Sequence, residues 1–418
     1  MINQIRQLNT STFIASRIAF NKERSFSAFI IRIAIGAVAL SVAVMILAVC
    51  LVSGFKHVVS QKVFDFWGHI HISRFQPNAS PLTEELPFSG NSALYRSLRA
   101  NPDIASVDAY ATKSAIIKAG EEIDGVIFKG VTASYHWSHL KPFLVQGTVP
   151  RIRDSGFSNQ VVISSYIAHE LNVHVHDPVI VYFIQQGDAL PRARKLFISG
   201  IYKTSIEDYD RTYIIGDLNL LRKLSNWSSD KIGGYEIFVK DYRQMDHISR
   251  QQIDPSLPEN LVSTTIKDIY PNIFDWLNLQ NMNLLIILII MSIVAVINMI
   301  TALLILILER TNMIGILKSV GMRNWKIQEI FLLQAAYIIL AGLAIGNFLG
   351  IGLSVLQQKT GFFKLSEETY YMPVAPIRII WWEIAAIDLG TILVCLVILV
   401  LPSYLIRRIT PVQAIRFK

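Results

Sequence analysis

Apolar and polar positions follow two different regimes along this chain. Four uninterrupted apolar runs, over residues 28–52, 282–308, 330–356 and 379–401, each match the roughly 17 to 25 residues needed to cross a bilayer as a helix. Between residues 54 and 281 no comparable run occurs. Apolar and polar side chains alternate there instead, as in Val179-Ile-Val-Tyr-Phe-Ile184 and Lys195-Leu-Phe-Ile-Ser-Gly-Ile201, the two-residue period of strands. Short stretches with helical spacing, 92–101 and 217–224, lie among those strands.

The pattern predicts an α-helical membrane protein with four transmembrane helices and a large α/β extracytoplasmic domain between the first and second. Its parts are an amino-terminal segment over 1–27, helices over 28–52, 282–308, 330–356 and 379–401, and the α/β domain over 53–281. A loop over 309–329, a shorter one over 357–378 and a tail over 402–418 complete the chain. Composition agrees: 52% of residues are hydrophobic and 17% charged, where soluble domains carry about a quarter charged.

The net charge of +8 raises the question of nucleic acid, and its distribution answers it. Residues 54–281 hold 23 basic and 24 acidic side chains, so the domain has no basic excess. Positive charge gathers in Arg6, Arg17, Lys22 and Arg24, in Arg310, Lys318, Arg323 and Lys326, and in Arg407, Arg408, Arg416 and Lys418. In the loop 357–378, Lys359 and Lys364 face Glu367 and Glu368. The excess of basic residues on one side predicts that both termini and the 309–329 loop are cytoplasmic.

The first run reads as an uncleaved signal-anchor, since no small-x-small cleavage site follows it. Leu47-Ala-Val-Cys50 faintly matches a lipidation box, but Val49 is bulky and the position deep in the chain. Cys50 and Cys395 both sit in apolar runs, which excludes a disulfide scaffold.

Catalytic chemistry finds little support. There is no Gly-x-x-x-x-Gly-Lys-Ser/Thr to cradle nucleotide phosphates and no Gly-x-Ser-x-Gly elbow. His69/His71 and His174/His176, as alternate residues of strands, would share a face, yet neither pair has an obvious third ligand. Arg32 can snorkel from the end of its span. Glu383 and Asp388 raise the question of a proton relay, but five residues apart they lie on different faces of the fourth helix, and their role stays open. Asn298 and Asn347 read as interhelical hydrogen-bond partners. Gly342, Gly346 and Gly350, spaced by four, form a small-residue stripe against which another helix can pack.

The segment Glu309-Arg-Thr-Asn-Met-Ile-Gly-Ile-Leu-Lys-Ser-Val-Gly321 places Met313, Ile316, Leu317 and Val320 at helical spacing, with Arg310 and Lys318 off the stripe. It predicts a short amphipathic helix closed by Gly321, resting on lipid or inserting into a soluble partner.

Here the chain resembles a known family. Glu309-Arg310, Ile314-Gly315-Ile316-Leu317-Lys318 and Gly321 look like the signature of FtsX/MacB-type ABC permeases, and Pro402-Ser403 with Pro411-Val-Gln-Ala-Ile-Arg416 resembles their closing pattern. Phe13-Ile-Ala-Ser-Arg17, Phe26-Ser27, Val52-Ser-Gly-Phe55-Lys56 and Gly68-His-Ile-His-Ile72 are most similar to the lipoprotein-releasing LolC/LolE group. MacB-type exporters carry a fused ATPase before the first span, where only 27 residues stand here.

The resemblance implies a permease subunit of the bacterial inner membrane, with its large domain periplasmic and no enzymatic activity or cofactor of its own. ATP and Mg would be bound by a separate ABC ATPase subunit. A second permease copy, identical or related, a lipoprotein substrate, membrane lipid and a periplasmic lipoprotein carrier would be the other partners. Glu309, Arg310, Ile314, Gly315, Ile316, Leu317, Lys318 and Gly321 would receive the ATPase stroke. Ala37, Ser41, Met45, Val294, Ile297, Asn298 and Thr301 would line a cavity for acyl chains between the two copies. Gln185, Gly187 and Pro191, in the turn between two strands, match the place where the LolC branch meets its carrier. An ordinary hairpin connection is the competing reading. A MacB-like efflux permease and an FtsX-like regulator of a cell-wall hydrolase are the alternative functions.

Overall fold

The first apolar run nucleates a helix that does not stop where the run stops. In the computed structural model, which describes residues 26–77, 84–153, 156–185 and 190–408, helix α1 spans Phe26–Trp67. Past residue 52 it continues because Phe55, Val59, Val63 and Phe66 recur at helical spacing and are buried. It ends at Gly68, whose φ of +72° suits glycine and where a Cβ would stand 2.8 Å from Glu236 Cγ.

The α/β domain follows, with β1 (Ile70–Arg74), β2 (Phe88–Ser89), α2 (Ser92–Ala100), β3 (Ile104–Ala119), β4 (Glu122–Val131), β5 (Leu144–Gly147), β6 (Gln160–Ser164) and α3 (Ser165–Glu170). It continues with β7 (Pro178–Phe183), β8 (Arg192–Tyr202), α4 (Glu207–Thr212), β9 (Tyr213–Asp217), α5 (Leu218–Leu224), β10 (Lys231–Ile232), β11 (Gly234–Val239) and β12 (Leu261–Thr265). The main sheet runs β12-β1-β11-β3-β4-β9-β6-β8-β5. Strand β7 pairs with both β3 and β8, so β3-β4-β9-β6-β8-β7 close into a ring. The long β3 makes this possible. Its first half pairs with β11, while Ala115–Lys118 meet β7 along the same edge. Phe128, Ile163, Val181, Ile198 and Ile214, all at 0% exposure, fill the core.

The alternating segments 179–184 and 195–201 do form strands, paired antiparallel from Pro178↔Phe197 to Phe183↔Arg192. The predicted helices at 92–101 and 217–224 are α2, capped by Asn91, and α5, capped by Asp217. His174 and His176 are a correction: they lie in turns before β7, His176 with φ +78°, and share no strand face. Among the described residues no group of three or more His, Cys, Asp or Glu is placed to hold a metal ion.

Helices α6 (Pro271–Glu309), α7 (Thr311–Ser319), α8 (Asn324–Thr360), α9 (Glu367–Tyr370) and α10 (Trp381–Ser403) complete the elements used below. Four helices, α1, α6, α8 and α10, are long and apolar enough to cross a membrane. The chain divides into two compact units. One is helical and contains residues up to Lys56, Leu277–Lys364 and the chain from Val374 onward; the other is His57–Trp276 together with Leu365–Pro373.

Within the helical unit the glycine stripe of α8 meets α1. A Cβ on Gly342 would lie 2.7 Å from Val38, one on Gly346 2.8 Å from the Ala39 carbonyl oxygen, and one on Gly350 3.0 Å from Ile46. That contact decides which face of α1 turns inward. Ser41 and Met45, read from the sequence as lining a cavity open to a partner copy, are 3% and 2% exposed inside this chain's own helical unit. The physical reason is that the apolar run of α1 carries little phase of its own, so its neighbours select the packed face: the glycine stripe of α8 on Val38, Ala39 and Ile46, and α6 on Met45, whose sulfur lies 3.9 Å from the Ser292 hydroxyl.

Candidate coupling site

Helix α6 ends at Glu309, and Arg310, with φ −98° and ψ 21°, interrupts the helical path for one residue before α7 begins. No proline or glycine causes the break. The Thr311 hydroxyl bonds the Leu308 carbonyl at 2.5 Å and the Ile307 carbonyl at 3.3 Å, the side-chain-to-backbone competition that bends helices. At its other end α7 closes on Gly321, φ +87°. The Gly321 amide donates to Lys318 O and the Met322 amide to Leu317 O, both at 3.0 Å, a Schellman pair.

One side of α7 is anchored. Ile314 is fully buried and Gly315 buried, Met313 and Leu317 are half-buried, and the Lys318 ammonium donates to the Ile406 carbonyl at 2.7 Å. Nearby, the Gln328 side chain donates to the Ser403 carbonyl at 3.1 Å. These last two bonds tie α7 and the first turns of α8 to the last residue of α10 and the short helix Leu405–Arg408 that follows it, and no sequence motif announces them. Two members of the predicted apolar stripe face outward instead: Ile316 is 57% exposed and Val320 81%. The stripe is thus corrected. Ile314 supplies the buried anchor, and the inward face is centred on Ile314 and Gly315 with Met313, Leu317 and Lys318 at its edges. Ile316 and Val320 on α7, and Trp325 at the start of α8, are exposed apolar side chains. Glu309 and Gly321 are exposed and Arg310 is half-buried.

The remaining candidates scatter. Val294, Ile297 and Thr301 lie on the exposed face of α6, the Thr301 hydroxyl bonded to the Ile297 carbonyl at 2.9 Å, while Ala37 and Asn298 are half-buried. Gln185 donates to the Phe183 carbonyl at 3.1 Å and Pro191 is exposed just before β8; Gly187 lies outside the described residues. Each intramembrane-type carboxylate has its own partner. The Ser53 hydroxyl donates to Glu383 at 3.0 Å, joining α1 and α10, and the Asn347 amide donates to both Asp388 oxygens at 3.0 Å, joining α8 and α10.

The α/β domain conceals a polar cluster that alternation does not predict. Lys129 and Glu236, both at 0% exposure, pair at 2.7 Å. The Lys129 ammonium also donates to the Phe66 carbonyl at 3.0 Å, in the last turn of α1, and lies 4.1 Å from the Trp67 ring centroid. His71 sits beside them, Nε2 2.6 Å from the Trp67 carbonyl and Nδ1 3.1 Å from the Tyr110 hydroxyl. Burial pushes its pKa down to about 4, helped by the Lys129 charge and opposed by the bond to Trp67.

Sequence relatives meet this geometry from both ends. The model of the MacB-like periplasmic core domain matches residues 33–251, and that of the FtsX-like permease C-terminal region matches 285–411. The chain is 23% identical over 427 residues to the lipoprotein-releasing system transmembrane protein LolE of Haemophilus influenzae, covering 98% of this chain and 99% of the relative. It is 20% identical over 414 residues to the LolC protein of Xylella fastidiosa, covering 95% and 96%. Among solved structures, the periplasmic region of MacB from Actinobacillus actinomycetemcomitans is similar over 49% of this chain and 92% of its own, with a TM-score of 0.34 and 12% identity.

Proposed function

We propose, on the premise that this chain belongs to the FtsX-like permeases with a MacB-like periplasmic core domain, that it is the permease subunit of an ABC transporter releasing lipoproteins from the inner membrane. The observation that carries this reading is the end-to-end correspondence with proteins named LolC and LolE, which spans the helices and the α/β domain alike. In this reading α1, α6, α8 and α10 cross the membrane, both termini are cytoplasmic and the α/β domain is periplasmic. A separate ATPase subunit, which binds ATP and Mg, docks on α7, and a second permease copy completes the unit.

The mechanism follows from the anchoring of α7. Closure of the ATPase pair pushes on residues 309–321. Because Ile314 and Lys318 fix that turn to the helical unit, the push moves α6 and the end of α10 together rather than bending the loop. The exposed face of α6, with Val294, Ile297 and Thr301, then lies where acyl chains can pass between copies. Moving an acyl chain out of lipid costs about 0.8 kcal/mol per methylene, so a receiving hydrophobic surface must accept it.

The test is gentle extraction of the tagged protein and mass spectrometry of what co-purifies. An ABC ATPase together with mature acylated lipoproteins is the expected result. An ATPase with an adaptor or a wall hydrolase and no lipoprotein would replace lipoprotein release with efflux or hydrolase control.

A further inference from the structure

The segment between α8 and α10 reads in sequence as a plain connection, yet its middle packs as part of the α/β unit. Helix α8 ends at Thr360 on Gly361, φ +58°, and the chain then forms a narrow hairpin, with Lys364 bridged to Val374 and the Leu365 amide donating to the Pro373 carbonyl at 2.9 Å. Residues 365–373 carry α9 at the tip and belong to the α/β unit.

Three anchors hold this tip, each from a different stretch of the domain. The Lys62 ammonium, on α1, donates at 2.7 Å to the Tyr371 carbonyl and at 2.7 Å to the Thr204 carbonyl, so one side chain clasps the tip to the turn after β8. The neighbouring Lys203 forms an ion pair with Glu367. The Trp276 ring meets Tyr371 edge-on at 5.8 Å between centroids. Tyr371 holds φ +60°, unusual for a non-glycine residue, so the contact fixes a conformation the free loop would seldom adopt.

Two features leave the ion-pair anchor open to water. Lys203 and Glu367 are 43% and 36% exposed, where water competes with the pair. Ser366 and Glu367 also form one wall of a cleft of about 790 Å³ whose other wall includes Tyr166, His169 and Arg211, so the ion pair borders open space. Through this tip the polypeptide passes between the two units four times, at residues 56/57, 276/277, 364/365 and 373/374, instead of twice. Every long helix is thereby joined to the α/β domain.

We propose that residues 365–373 are a releasable strap, which ties α8 and α10 to the α/β domain when docked and lets go at one step of the transport cycle. The proposal rests on the transporter reading for its cycle, but not for its docking. Docked, the strap transmits movement of the domain to α8 and α10, in parallel with α1 and α6. Released, it uncouples that pair.

A Lys203→Cys/Glu367→Cys chain, assembled with its ATPase in lipid nanodiscs and joined with a thiol-cleavable bis-maleimide, tests the release. The buried Cys50 and Cys395 should leave the parent chain unjoined. We expect cross-linking within the chain, basal ATP hydrolysis retained, and cargo release at least tenfold slower until the link is cleaved. Cargo release at the parent rate while linked would overturn the strap as a moving part, and failure to cross-link would overturn its docking. Hydrogen exchange separates these outcomes from failure of the transporter reading, because it needs neither ATPase nor cargo. In Lys62→Met the amides of Leu365 and Tyr371 should exchange at least tenfold faster with the β3 and β4 amides unchanged, and unchanged protection at both would refute the clasp.

Discussion

Lys129 and Glu236 form an ion pair 2.7 Å long with both side chains wholly withdrawn from solvent, across strands β4 and β11 that β3 separates. The pair also seals the end of α1, since the same ammonium takes the Phe66 carbonyl. A buried pair is strongly destabilising to break and cheap to replace whole. Lys129→Met should therefore cost about 3–5 kcal/mol by leaving a buried carboxylate unpaired, while Lys129→Met with Glu236→Leu should recover most of that loss. Thermal unfolding of the full chain in detergent, followed through its near-ultraviolet circular dichroism, checks both. Equal destabilisation of the single and double variants would mean that packing, not charge, holds this joint.

His71 adds a pH dependence of definite sign. Its pKa falls from about 6.5 to about 4 on folding, so the folded state binds fewer protons than the unfolded one. The stability it contributes is complete above pH 6.5 and is lost as pH falls from there through 4. A shift of this size corresponds to roughly 3 kcal/mol. His69, lowered to about 4 by burial and by His139, acts in the same window. Melting temperatures taken at pH 7.5, 6, 5 and 4.5 should decline across that window, and His71→Gln should flatten the lower part of the curve. A variant with an unaltered pH profile would show that His71 contributes nothing to it.

At the glycine stripe, Gly346 is the position least able to accept a side chain, because its nearest neighbour is the Ala39 carbonyl oxygen at 2.8 Å rather than a flexible side-chain end. Gly346→Val should force α1 and α8 apart and destabilise by about 1–3 kcal/mol. Gly352→Ala, on the same helix with nothing within 4 Å of its Cβ, should be neutral or slightly stabilising. Thermal unfolding of the two variants side by side decides, and similar melting points would mean the helices are not held at this distance.

How much of this was legible in the sequence depends on where each signal lies. The strands 179–184 and 195–201 were visible because they alternate, and the end of α7 because Gly321 is the residue that a left-handed cap demands. The strap was not. Leu365–Pro373 has no apolar period, and its anchors at Lys203 and Lys62 stand 164 and 309 residues away along the chain. The inward face of α1 was hidden for the opposite reason, since a helix apolar on all sides carries no phase. Nothing in the chemistry of Ser41 and Met45 marks them as inward, yet both are buried, Met45 with its sulfur 3.9 Å from the Ser292 hydroxyl of α6. Lys129 carries no signal of its burial, because a lysine in a strand reads as solvent-facing and the acid that pairs with it, Glu236, stands on another strand 107 residues along the chain.

The outward apolar pair on α7 makes the sharpest test of coupling. Ile316 and Val320 are exposed, whereas Leu317 is half-buried and Ile314 fully so, which separates docking from folding. Exposed positions of this kind change stability by no more than about 0.5 kcal/mol when substituted. Ile316→Asp and Val320→Asp should therefore leave the melting temperature unchanged. If these side chains insert into the ATPase, each loses an apolar anchor and gains a buried charge there, and affinity for that subunit should fall at least about tenfold, or 1.4 kcal/mol. Ile314→Asp should instead unfold the helical unit and lower the melting temperature. Co-purification of the ATPase at graded concentrations measures the affinity, with cargo-stimulated ATP hydrolysis as the second readout. Should both outward variants retain the ATPase at parent affinity, α7 rests on lipid and the stroke enters the permease elsewhere.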